Sequence, residues 1–87
     1  MSLVRLTEPA VLWLAGDKPS RMVWRSRHWR ITDEPTPLYE EVYHELLTHP
    51  ARHQIGWRFQ VSDEWSDTHV VDVRTDGDEW FVTAVYD

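Results

Sequence analysis

The chain has 87 residues and a mass of 10.4 kDa, with 15 Asp+Glu against nine Lys+Arg for a formal charge of −6. That length holds one core, so residues 1–87 read as a single small domain, and 41% hydrophobic content is too apolar for a disordered one. The absence of cysteine excludes disulfides, thiolate metal sites and a Cys nucleophile. No apolar run approaches the roughly 18 residues of a membrane span, and no charged-then-apolar leader opens the chain. The expected setting is therefore cytoplasmic, with no membrane partner.

Ala10 to Ala15 (AVLWLA) is an apolar run of strand length. Gly16-Asp17-Lys18-Pro19-Ser20 carries turn chemistry. Arg21 to Arg25 alternates, with Met22 and Trp24 on one face, and His28 to Thr32 alternates again with Trp29 and Ile31 together. A short Ser26-Arg27 connection makes these two runs a hairpin. Asp33-Glu34-Pro35-Thr36-Pro37 then supplies acidic and proline signals for a helix start. Leu38, Val42 and Leu46, widened by Tyr39, Tyr43 and Leu47, form an apolar stripe at helical spacing that predicts a helix over about 37–48, ended by Pro50.

Ile55, Trp57, Phe59 and Val61 alternate with Gly56, Arg58, Gln60 and Ser62, the cleanest strand pattern in the chain. Ser62 to Asp67 reads as a polar loop carrying Trp65. His69 to Thr75 and Asp78 to Tyr86 flank Asp76-Gly77, a strong hairpin turn. In the last strand Trp80, Val82, Ala84 and Tyr86 share one face and Phe81, Thr83 and Val85 the other. The expected fold class is α+β, mainly β. About six short antiparallel strands form a curled sheet or small barrel, with the helix inserted between strands three and four.

Six tryptophans are the compositional signature. Each ring can bury roughly 150–250 Å², so in a core this thin about four are expected inside, leaving one or two for binding. Charge is uneven: residues 1–32 carry a local +4 and the remainder a local −10. Arg21, Arg25, Arg27 and Arg30 crowd the first hairpin, interleaved with His28 and Trp29, and these six are the candidate binding residues. Guanidinium groups beside rings suit a protein hot spot, or nucleic acid if the rings stack on bases. His44-Glu45-Leu46-Leu47-Thr48-His49 falls one residue long of the HExxH zinc pattern, which would put its histidines roughly 140° apart on a helix. No calcium-loop spacing, phosphate loop or nucleophile elbow is present, so no catalytic residue, metal or cofactor is assigned.

Two stretches carry a resemblance. Pro19-Ser20-Arg21-Met22-Val23-Trp24-Arg25-Ser26-Arg27-His28-Trp29-Arg30-Ile31 and Gly77-Asp78-Glu79-Trp80-Phe81-Val82-Thr83-Ala84-Val85-Tyr86-Asp87 resemble signatures of a family of short, Trp-rich, functionally uncharacterised bacterial proteins, mostly actinobacterial. Some members lie near Y-family DNA polymerase-like proteins. The resemblance covers about half the chain, implies an intracellular bacterial protein linked to DNA-damage tolerance, and supplies no catalytic residues. Ser26 stands where its turn glycine is expected, and the segment from Leu38 to Thr48 is not part of it.

The function expected from the sequence is a non-enzymatic interaction module, docking a protein through the Arg/Trp hairpin or a sheet edge. The alternative is a nucleic-acid-binding accessory domain. A homodimer through an uncovered edge is compatible with either.

Overall fold

Two-residue turns stand at Gly16-Asp17, Arg25-Ser26 and Gly77-Asp78, and the chain folds back on itself at each. The computed structural model describes residues 2–42 and 51–86. Its strands are β1 (Leu3–Ala15), β2 (Lys18–Trp24), β3 (Arg27–Ile31), β4 (Thr36–Val42), β5 (Ala51–Ser62), β6 (Thr68–Asp76) and β7 (Glu79–Tyr86). They form one antiparallel sheet in the order β3-β2-β1-β7-β6-β5-β4. A further pairing of β3 with β5, through Arg30↔Ser62 and Ile31↔Val61, closes six strands into a barrel. Closure removes the open edges that the six strands would otherwise present. β4 lies outside the ring and, among the described residues, pairs only with β5, between Ala51 and Arg58.

The expected helix over about 37–48 is corrected here. Thr36 to Val42 is a strand in register with β5, from Thr36↔Arg58 to Val42↔Ala51, and the described residues are all-β rather than α+β. The physical reason lies in the spacing. Residues four apart, such as Leu38 and Val42, share a face in a strand as well as in a helix, and Thr36, Tyr39 and Val42 are β-favouring types. Leu46 and the His44–His49 comparison lie outside the described residues.

Two turns move by one residue, and the first is confined to the start of the expected Gly16–Ser20 stretch. β1 and β2 turn at Gly16-Asp17, and β6 and β7 at Gly77-Asp78, with both glycines at positive φ (67° and 64°). The β2–β3 turn is Arg25-Ser26, not Ser26-Arg27. Both residues sit in the left-handed region (φ 55° and 60°), as a type I′ hairpin requires.

The barrel interior is filled by Met22, Trp24, Trp29, Phe59, Val61, Val71, Val73, Val82 and Val85, with Leu6, Ala10, Leu12, Ile31, Trp57 and Trp80 packed against them. Alternation places most of these. In β7, however, the register against β6 shifts between Val73↔Val82 and Asp72↔Ala84, leaving Thr83 as an extra residue. The bulge puts Val82 and Val85 both inside and sets the Tyr86 hydroxyl beside Arg58 and Asp72, with Ala84 buried as well, so the expected single face Trp80-Val82-Ala84-Tyr86 is split. Two tryptophans belong to the buried core and two pack partly against it, while Trp13 and Trp65 are exposed. No helix among the described residues is long and apolar enough to cross a membrane.

Candidate functional site

The β2–β3 hairpin sorts its residues by the period of a strand. Met22, Trp24 and Trp29 point inward, while Arg21, Val23, His28 and Arg30 occupy the outer face. Trp29 is therefore corrected from a candidate binding residue to a core residue. It is 3% exposed, its ring is 5.5 Å from that of Trp24, and its Nε1–H donates to the Trp24 carbonyl at 3.0 Å. His69 packs edge-on against Trp24 and 5.7 Å from Trp29.

The four hairpin arginines separate into two kinds. Arg25 donates to Glu8 Oε1 at 2.7 Å and lies 4.3 Å over the Trp24 ring. That hydrogen bond, opposed by partial burial and aided by the one from Trp24 Nε1 at 3.0 Å, holds the Glu8 carboxyl below its ordinary value. Arg27 donates to Asp63 Oδ2 at 2.9 Å and Asp67 Oδ2 at 3.1 Å, with Trp65 5.3 Å away. Asp63 is 3% exposed and its other oxygen accepts from the backbone N–H groups of Trp65 and Asp67, so this ion pair orders the β5–β6 loop. Both arginines thus have structural work that accounts for them.

Arg21 and Arg30 form no such ion pair: they are exposed, face each other directly across β2 and β3, and have no carboxylate partner among the described residues. Like charges directly opposite on a sheet repel. Register extends the pair into a row across four strands, Trp13↔Arg21↔Arg30↔Ser62. The Arg21 guanidinium lies 5.5 Å from the centre of the Trp13 ring, which is 41% exposed. A second row, Val11↔Val23↔His28, runs beside the first, two residues further along each strand toward the Arg25-Ser26 turn. An open groove of about 420 Å³ follows the cationic row and is bounded at its far end by Asp63 and Glu64. The candidate site is therefore the outer face of β1, β2 and β3. It brings together Arg21, His28 and Arg30 and adds Trp13, Val11 and Val23, while Arg25, Arg27 and Trp29 belong to the framework.

The opposite wall carries a different polar group. Arg58 pairs with Asp72 through two bonds, Nε to Oδ1 at 2.7 Å and Nη2 to Oδ2 at 3.1 Å. Tyr86 donates its hydroxyl to Asp72 Oδ2 at 2.8 Å and accepts from Arg58 at 2.7 Å. The bond to Asp72 raises the Tyr86 hydroxyl above its ordinary value of 10.0, because ionisation would set a phenolate against a carboxylate. A group whose folded value is raised stabilises fully below its unfolded value, and that contribution disappears as pH rises through the folded value. Wild type is therefore expected to lose stability above pH 10.0 through Tyr86. Tyr86→Phe should start less stable and lack that part of the alkaline decline, as urea unfolding at neutral and alkaline pH would show.

Among the described residues no group of three or more His, Asp or Glu is gathered to hold a metal ion. Comparison of the chain with family models, with curated proteins and with solved structures yields no match.

Proposed function

We propose that this barrel is a non-catalytic interaction module that docks an acidic protein segment on the outer face of β1, β2 and β3. The observation that carries this reading is the Arg21–Arg30 pair: two exposed, mutually repelling guanidinium groups that no described carboxylate neutralises. Such a pair opposes folding slightly and is relieved by an anion. The neighbouring row supplies what a protein contact needs besides charge. Val11 is 54% exposed and stands beside Val23, with the Trp13 ring at the row's edge. Arginine and tryptophan around a small apolar patch is the composition of a binding hot spot.

Nucleic-acid binding in DNA-damage tolerance is the second reading, favoured by the exposed Trp13 ring, which offers a base a stacking surface beside Arg21. Against it, the arginines of this face without a described carboxylate partner form a single row that ends at Asp63 and Glu64, on a chain of net charge −6. A polymer of phosphates meets repulsion on leaving the row.

A photo-reactive phenylalanine derivative placed at position 11 tests the reading in extract from the source cell. Docking predicts a protein adduct that is lost when Arg21 and Arg30 are both changed to Glu in an equally folded variant. An adduct removed by nuclease supports the second reading. An adduct indifferent to the arginines, or none, contradicts both.

A further inference from the structure

Resting on that docking reading, we infer that the anionic group seated between Arg21 and Arg30 is a phosphate monoester, so that the docked segment carries phosphoserine or phosphothreonine. The argument is charge matching at fixed geometry. Directly paired residues on adjacent antiparallel strands have Cα atoms roughly 4.5–5.5 Å apart, so two arginine side chains rising from such a pair can both reach one small group. A carboxylate carries one negative charge and is satisfied by a single guanidinium fork, which leaves the second arginine unneutralised. A phosphate monoester carries about −1.5 to −2 and three acceptor oxygens, which two forks fill.

The surroundings favour one such group over a chain of them. Trp13 holds the Arg21 guanidinium against its ring at 5.5 Å, which orders that side chain before any ligand arrives. Asp63 is already bonded to Arg27 and Glu64 stands exposed, so the groove ends in negative charge just past Arg30. A single dianion fits inside that boundary, and a phosphodiester polymer has to cross it.

The second row adds a sequence requirement. Val11 and Val23 lie two residues along their strands from Trp13 and Arg21, a separation of roughly 6.5–7 Å. An extended peptide places residues i and i+2 on one side at that same distance. The preferred segment therefore has an apolar residue two positions from the phosphorylated one.

The test uses the full chain labelled with 15N and follows the Trp13 indole and the Arg21 and Arg30 Nε–H resonances during titration. The probes are a synthetic heptapeptide with a valine two residues from a phosphoserine, the same peptide with serine, the same with glutamate, and a short oligothymidylate. The phosphopeptide is expected to move all three resonances saturably, with the serine and glutamate peptides at least about tenfold weaker, the scale of one charge-assisted bond pair. Arg21→Lys and Arg30→Lys, which keep charge but lose the fork, should each weaken the phosphopeptide severalfold without changing the core tryptophan resonances. Equal affinity of the glutamate peptide overturns the phosphate inference and leaves acidic docking intact. Tighter binding of oligothymidylate overturns both in favour of nucleic acid. Failure of the phosphopeptide to move these resonances at millimolar concentration overturns the phosphate inference, and the position-11 adduct then reports separately on docking.

Discussion

Replacing Gly56 with alanine is expected to cost more than about 4 kcal/mol, the range reserved for substitutions that force backbone apart, and to leave much of the chain unfolded. A Cβ at this position would lie 1.8 Å from the Val73 carbonyl oxygen, 2.9 Å from its carbon and 3.0 Å from the Arg74 Cα. None of these is the free end of a flexible side chain. Relief would require β5 and β6 to separate where Val73 is completely buried, while Gly56 is also paired with Leu38 of β4 on its other side. Gly16→Ala provides the control, since its Cβ meets nothing within 4 Å and only its φ of 67° is strained. That variant should lose about 1–2 kcal/mol, the cost of a left-handed non-glycine residue. Urea unfolding of the two variants side by side measures the difference.

Trp24→Ala should cost about 3–5 kcal/mol, as large aromatic truncations in closed cores do. Trp24 is 1% exposed and is the largest of the fully buried side chains. Its ring contacts Trp29 and His69, supports the Arg25 guanidinium and donates to Glu8. Truncation empties the end of the barrel and frees Glu8 to hold Arg25 alone. Trp24→Phe keeps most of the volume and loses the N–H donor, so it should fall well short of the alanine loss. Thermal unfolding of both variants separates the packing contribution from the hydrogen bond. Equal losses would show that the indole N–H, rather than ring volume, dominates.

Much of this architecture is legible in period-two patterning. The inward positions of Met22, Trp24, Phe59 and Val61 follow directly from alternation, and the same rule applied to His28 through Ile31 puts Trp29 inside. Treating Trp29 as a binding residue because arginines flank it set composition above periodicity. The Leu38–Val42 spacing cannot distinguish helix from strand, and pairing with β5, a contact between distant segments, decides it. Barrel closure between β3 and β5 uses two ladder pairs, extended by hydrogen bonds from the Thr32 N–H to the Gln60 carbonyl and from the Gln60 N–H to Asp33, and no local pattern announces them.

The missed residue, Trp13, sits in AVLWLA, where apolar side chains on both faces conceal which one points out. The Arg21–Arg30 opposition was hidden by a single position. A turn at Ser26-Arg27 sets Arg21 opposite Thr32, whereas the actual turn at Arg25-Ser26 sets it opposite Arg30. Nothing in the local sequence favours that turn, because neither residue is Gly, Asn or Asp.

On the docking reading, Arg21 and Arg30 are held opposite one another for a ligand and at the expense of the fold. A double-mutant cycle with Arg21→Gln, Arg30→Gln and the combination, measured by urea unfolding at low ionic strength, reads that cost. The prediction is an unfavourable coupling between the two arginines of about 0.2–1 kcal/mol that shrinks as salt is added. A favourable coupling, with each arginine stabilising the barrel more when the other is present, would contradict it and make the row part of the framework.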